Sequence, residues 1–89
     1  MNEMNIKIER INYECIPYAN TFTTYKITCN ELSFVNNAED FVVNLCTKCL
    51  TKVDKKYNDS DRDWYEPHYK LRKQDGSTYL FTIFEPYVD

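Results

Sequence analysis

Residues 37–57 carry the one long run of apolar side chains at helical spacing in this sequence. The run consists of Ala38, Phe41, Val42, Leu45, Cys46, Cys49, Leu50, Val53 and Tyr57. Such spacing places these side chains on one stripe of an α-helix. Asn37 is a favourable N-cap, and acidic residues in the first turn and lysines in the last turns suit the helix dipole. The pattern predicts one amphipathic helix over 37–57, which must pack against another layer.

The segments on both sides of this helix alternate between apolar and polar residues, as strands do. We predict strands at 4–16 and 22–29 before the helix and at 64–73 and 77–87 after it. The apolar phase changes within the first strand, which predicts a bulge near Glu9 and Arg10 that turns both apolar sets inward. The expected fold is α+β, a two-layer ββαββ domain over 1–89, with a four-stranded, mainly antiparallel sheet and one helix. The second sheet face is expected to be open to solvent or to a partner.

The last two strands are predicted to form a hairpin around Gly76, the single glycine of the chain. A three-residue loop over 74–76 would pair Leu71 with Tyr79 and Tyr69 with Phe81. Gly76 would then take a positive φ. In this register one face is apolar, and the other carries His68, Lys70, Arg72, Thr78 and Thr82.

The formal net charge of -3 argues against a dedicated nucleic-acid binder, which usually has a strongly basic face. The sequence has neither an apolar run of about 20 residues nor a basic start followed by an apolar segment. These features predict a cytoplasmic protein with reduced cysteines. The abundance of Asn, Lys, Ile, Tyr and Phe is typical of AT-rich coding DNA, as in low-GC bacteria and their phages.

Cys46 and Cys49 are three positions apart on the predicted helix, so both thiolates can bind one metal ion. Zinc needs two further ligands, and the available nitrogen and sulfur donors are Cys29, Cys15 and His68. In a simple hairpin Cys15 and Cys29 lie about 20 Å apart, so only one of them can join the pair. The alternative is that these cysteines are buried free thiols, since both helix cysteines lie on the apolar stripe. The candidate role of zinc is structural.

No catalytic motif is present, and we expect no enzyme activity. Asp59, Asp61 and Asp63 begin like a calcium-binding loop, but Trp64 and Lys70 stand where that loop needs Gly and Glu. A solvated acidic loop that faces a basic partner fits these residues better. His68, the single histidine, has no catalytic partner in the sequence and is predicted to be a surface residue.

The strongest candidate binding surface combines aromatic and basic residues on the open sheet face: Trp64, His68, Lys70 and Arg72, with Lys26 from a neighbouring strand. Such residues can stack on nucleic-acid bases, and they are equally common in protein interfaces. The acidic total charge favours a protein partner.

A compact acidic domain of 89 residues, without catalytic motifs and with AT-rich residue usage, resembles the small phage-encoded anti-CRISPR proteins. A zinc-stabilised member of that group could carry a pair such as Cys46 and Cys49. The resemblance implies binding to a type II CRISPR nuclease in the host cytoplasm, and inhibition without catalysis. Two alternatives stay open, namely a small nucleic-acid-binding or regulatory module and a zinc-stabilised domain of a larger complex.

Overall fold

The computed structural model describes residues 5–16, 20–57 and 66–86, which form one sheet and one helix. The elements are β1 (Ile6–Ile16), β2 (Asn20–Cys29), a short 3-10 helix (Leu32–Phe34), α1 (Ala38–Cys49), β3 (His68–Asp75) and β4 (Thr78–Glu85). The strand order is β1-β2-β4-β3, and all three strand pairs are antiparallel. The predicted α+β ββαββ fold is therefore confirmed.

The core lies between α1 and one face of the sheet. Its buried members are Ile27, Cys29, Leu32, Val42, Cys46, Tyr69, Tyr79, Phe81 and Ile83. The register explains this set, because Ile27 pairs with Tyr79 in the two central strands and Tyr69 pairs with Ile83 at the β3 edge. Phe81, fully buried, stacks on Tyr69 with ring centroids 4.9 Å apart. Each fully buried side chain of this size contributes about 1.5–3 kcal/mol of transfer free energy.

The helix begins where the sequence predicts but ends eight residues earlier than the predicted Tyr57. Asn37 is the N-cap residue; it adopts a left-handed conformation (φ 54°) and makes no side-chain cap hydrogen bond. After Cys49, the Thr51 hydroxyl accepts a hydrogen bond from the Val53 backbone N–H at 3.0 Å. Such a local bond competes with the helical hydrogen-bond pattern. Of the periodic apolar residues beyond Cys49, Leu50 and Val53 pack on the core without continuing the helix. Tyr57 packs instead on His68.

The β3–β4 hairpin has the predicted faces but a different register and turn. Leu71 pairs with Phe81 and Tyr69 with Ile83, a shift of two residues from the prediction. An even shift preserves the faces, since side chains alternate with period two. The turn is stabilised by the Asp75 carboxylate, which accepts hydrogen bonds from the Ser77 N–H at 2.8 Å and the Ser77 hydroxyl at 3.1 Å. Gly76 has no positive φ, so that prediction was wrong.

The predicted bulge in β1 is confirmed, and it lies at Ile11. Arg10 pairs with Tyr25 and Asn12 with Thr24, which leaves Ile11 as the extra residue. The bulge places Tyr13 and Cys15 on the same face as Ile6 and Ile8. The expectation that all these residues turn inward was wrong, because Tyr13 is 57% exposed and Ile11 51%.

We predict that Phe81→Ala lowers the free energy of unfolding by about 3–5 kcal/mol, since it removes a fully buried ring and leaves a cavity. The matched control is Phe34→Ala, which removes the same ring from a site that is 86% exposed and should change stability by less than about 0.5 kcal/mol. Urea denaturation of both variants measures the difference. Equal losses would contradict the placement of the core.

Candidate protein-binding face of the sheet

The face of the sheet opposite α1, here called the far face, follows from the same register. Strand residues that alternate with the core positions point away from the helix. Those from the three strands beyond β1 are Phe22, Thr24, Lys26, Thr28, His68, Lys70, Arg72, Thr78, Leu80, Thr82 and Phe84. Thr24 and Thr82 are directly opposite each other, and their hydroxyl oxygens form a hydrogen bond of 3.0 Å. This bond joins the two central strands on the far face.

Three cations come together on this face. Arg72 pairs with Leu80, and Leu80 pairs with Lys26 on the next strand, while Lys70 lies one row away beside Thr82. Neighbouring strands lie about 4.8 Å apart, so the backbone positions of Lys26 and Arg72 are about 10 Å from each other, with Leu80 between them. We call Lys26, Lys70 and Arg72 the basic patch. Two of its members, Lys70 and Arg72, line a depression together with Thr24, Leu80 and Thr82.

The basic patch is bounded by an acid on β1. Glu9 pairs with Lys26, and its carboxylate forms an ion pair with Lys7 at 3.2 Å. Glu14 lies further along the same strand on the same face. The cations therefore form a compact group of about three charges and not a continuous track. A groove that follows a nucleic-acid backbone needs a longer line of positive charge.

At one end of the strands the far face is closed by an aromatic row. His68 stacks on Tyr57 with centroids 4.3 Å apart, Phe84 follows at 5.0 Å, and Phe22 lies 4.8 Å from Phe84. His68 is only 4% exposed and Phe84 2%. The prediction of a surface histidine was therefore wrong, and the far face, which was predicted to be open to solvent or to a partner, is buried at this end. His68 belongs to the packing of this face and offers little area to a partner.

Tyr57 reaches His68 because residues 55–57 add to the outer edge of β3. Lys56 forms a parallel bridge with Tyr69, with backbone hydrogen bonds of 2.9 Å from Tyr57 N to Tyr69 O and from Tyr69 N to Lys55 O. Glu66 fixes this segment, since its carboxylate accepts the Tyr57 hydroxyl hydrogen bond at 2.8 Å and pairs with Lys55. The Glu66 carbonyl lies 2.8 Å from His68 Nδ1. A carbonyl only accepts, so Nδ1 carries the hydrogen.

Of the residues predicted to bind a partner, the structure brings Lys26, Lys70 and Arg72 together and buries His68 beside them. Trp64, Asp59, Asp61 and Asp63 lie outside the described residues. Leu80, which lies between the cations, and Tyr57 in the aromatic row were not among the site residues predicted from the sequence. Strand alternation alone would have found Leu80, because it follows Thr78 on the same face. No local pattern would have found Tyr57.

The four cysteines divide into two classes. Cys29 and Cys46 are buried, whereas Cys15 and Cys49 are exposed, so the interpretation as buried thiols was wrong for Cys15 and Cys49. Cys15 pairs with Thr21 and Cys29 with Ile6, so they lie near opposite ends of the hairpin, as expected. Among the described residues, no group of three or more His, Cys, Asp or Glu side chains is placed to hold a metal ion. Zinc binding by Cys46 and Cys49 with Cys29 or Cys15 stays a prediction.

Comparison with known proteins gave no match to a family model, to a curated protein or to a solved structure. The helix in the described part of the chain is too short and too polar to span a membrane.

We predict that a thiol reagent such as N-ethylmaleimide modifies two cysteines of the native protein, Cys15 and Cys49, and all four after unfolding. The thiolate is the reactive form, and a buried thiol is neither accessible nor easily ionised. Peptide mass spectrometry identifies the modified residues. Rapid native modification of Cys46 would contradict the packing of α1. Protection of Cys49 that a chelator abolishes, with zinc detected by metal analysis, would instead support the zinc prediction.

Stability should fall at alkaline pH. Burial, with a smaller effect of the Cys49 charge, raises the pKa of Cys46 from 9.0 to about 12. A raised pKa means that the neutral thiol is favoured in the folded state, so its contribution is complete below pH 9 and is lost as pH rises toward 12. Burial also raises the pKa values of Tyr69 and Tyr79, which act in the same direction.

The test is urea denaturation across this alkaline range for Cys46→Ala and Val42→Ala. Both variants truncate a fully buried helix residue, but only the first removes a titrating group. We expect a flatter pH dependence for Cys46→Ala and the original dependence for Val42→Ala. The same dependence in both variants would show that Cys46 does not titrate in this way.

Proposed function

We propose that this chain is a small non-catalytic protein of the host cytoplasm that binds a bacterial defence nuclease through the far face of its sheet and so inhibits it. The observation that carries the proposal is the basic patch. Lys26, Lys70 and Arg72 converge around Leu80 in a chain whose net charge is -3. A cluster of positive charges on a chain with a negative net charge suggests a surface selected for a negatively charged partner.

The composition of this patch supports a protein partner. Arg72 is exposed, and Lys26, Lys70 and Leu80 are half-buried. An arginine beside an apolar side chain, with hydroxyl groups close by, is typical of an interface in which an apolar centre is surrounded by polar groups. The acid on β1 limits the positive area, which favours a discrete acidic protein surface over a phosphate backbone.

The nuclease is proposed from the resemblance to anti-CRISPR proteins, with a type II CRISPR nuclease as the candidate partner. Nucleases that use two metal ions hold them with carboxylates, and such an acidic surface complements a group of cations. A bound domain of this size would block access to guide or target strands by occupying the surface. No covalent step on the nuclease is involved.

The test is a DNA-cleavage assay of a guide-loaded type II CRISPR nuclease with increasing amounts of this protein. We expect stoichiometric inhibition and a complex on size-exclusion chromatography. Lys70→Glu/Arg72→Glu should weaken inhibition about tenfold or more, because it places like charges at the contact. Lys48→Glu/Lys52→Glu is the matched control, with the same change in charge at exposed positions in and just after α1.

Circular dichroism and urea denaturation establish that both double variants remain folded. Absence of inhibition and of a complex would refute the nuclease as the partner. Equal loss in both double variants would refute the far face as the contact. The alternative is a nucleic-acid-binding module, and direct DNA binding that weakens steeply with salt would favour that alternative.

A further inference from the structure

The outer edge of β1 is a second candidate interaction surface, separate from the basic patch on the far face. β1 is an end strand of the sheet and, within the described part of the chain, pairs only with β2. It is long, with eleven residues from Ile6 to Ile16. In general, the outer backbone groups of an end strand can pair with another strand.

This edge is also apolar where α1 does not cover it. Ile6 is 36% exposed, Ile11 51% and Tyr13 57%. Among the described residues these are three of the four large apolar side chains with high exposure. Single exposed apolar residues are common, but several on one edge strand mark a site of association.

The bulge at Ile11 gives the strand a symmetric pattern. On the helix side of the sheet lie Ile6, Ile8 and Arg10 before the bulge and Tyr13 and Cys15 after it. On the far face lie Lys7 and Glu9 before the bulge and Asn12 and Glu14 after it. Consider two residues at equal distances before and after the Arg10–Ile11 peptide, such as Ile8 and Tyr13. In a regular strand without the extra residue, two such residues would lie on opposite faces. With it, they share a face.

We propose that β1 pairs with β1 of a second copy of this chain, antiparallel, about a two-fold axis at the Arg10–Ile11 peptide. Ile8 then lies opposite Tyr13 of the second copy, and Ile6 opposite Cys15. On the far face Lys7 lies opposite Glu14, and Glu9 opposite Asn12. Every pair joins residues of the same face, and no like charges are opposite each other.

Other registers are less favourable. A shift of one residue places far-face residues opposite helix-side residues, as when Lys7 meets Tyr13. A shift of two residues in one direction places Glu9 opposite Glu14, and like charges directly opposite are destabilising. A shift of two in the other direction places far-face Glu9 opposite helix-side Arg10. The face pattern and the charges thus select the same register.

The dimer would join two four-stranded sheets into one continuous sheet, with both helices on one side and both basic patches on the other. The contact consists of two short ladders, residues 6–9 with 12–15 on each side of the axis, interrupted by the bulges. A contact of this size belongs to the weak class of interfaces, so a dissociation constant of about a micromolar or weaker is expected. The inference stands independently of the proposed function, because the basic patch is on the other strands.

The test uses sedimentation equilibrium of the full chain over a range of concentrations. We expect a monomer–dimer equilibrium for the native sequence. Lys7→Glu and Glu14→Lys should each weaken dimerisation about tenfold or more, since each creates two like-charge pairs across the axis. An equimolar mixture of the two variants should recover the native dimer, because in the mixed dimer both pairs are again of opposite sign.

Both positions are exposed and lie opposite uncharged β2 residues, Thr28 and Phe22. Lys7→Glu also removes the exposed ion pair with Glu9, which contributes about 1 kcal/mol or less. Urea denaturation checks that both variants stay folded. A monomer at all concentrations would overturn the proposal. That result would also hold if the true partner of the β1 edge were an extended peptide of another protein. A dimer that neither variant weakens, or that the mixture does not recover, would also overturn it, because it would use another surface.

Discussion

The pairing of β2 with β4 under α1 is the interaction on which the rest of this structure depends. These central strands are antiparallel over eight residue pairs, and Ile27, Tyr79 and Phe81 form the floor on which the helix packs. α1 has twelve residues and is therefore about 18 Å long, whereas the eleven residues of β1 extend about 37 Å. One short helix cannot cover such a strand. The exposed end of the β1–β2 hairpin follows directly from this difference in length.

The sequence was sufficient for those parts of the fold that depend on periodicity. Alternation assigned Lys26, Lys70 and Arg72 to the open face, and the structure agrees even where the predicted β3–β4 register was wrong by two residues. The helix end was not predictable in this way. Leu50 and Val53 continue the helical spacing, yet the helix ends at Cys49 and the Thr51 hydroxyl accepts a hydrogen bond from the Val53 N–H. Apolar spacing predicts which residues are buried, but a buried residue need not be part of the helix.

In the candidate site, too, features set by neighbouring residues in the chain were predictable, whereas features set by contacts distant in the chain were not. Strand alternation could place Lys26, Lys70 and Arg72 on one face, whereas the strand order that separates β2 from β3 by β4 was not predicted. His68 could not be placed correctly, because its burial depends on Tyr57, eleven residues away in the chain. The Lys56–Tyr69 bridge brings Tyr57 there, and no pattern within residues 50–57 indicates a strand at that edge. Cys46 and Cys49 differ for a similar reason, since α1 ends at Cys49 and leaves it exposed.

Residue-resolved hydrogen exchange of the dilute protein tests the central claim most directly, namely that β2 and β4 form the stable centre under α1 and that β1 is an open edge. We expect the paired amides of β2 and β4 to exchange most slowly, with a common free energy equal to that of global unfolding. The outward-facing amides of β1 should exchange fastest among the strands. Equally slow exchange of those β1 amides in the monomer, or early opening of β4 from β2, would contradict the account.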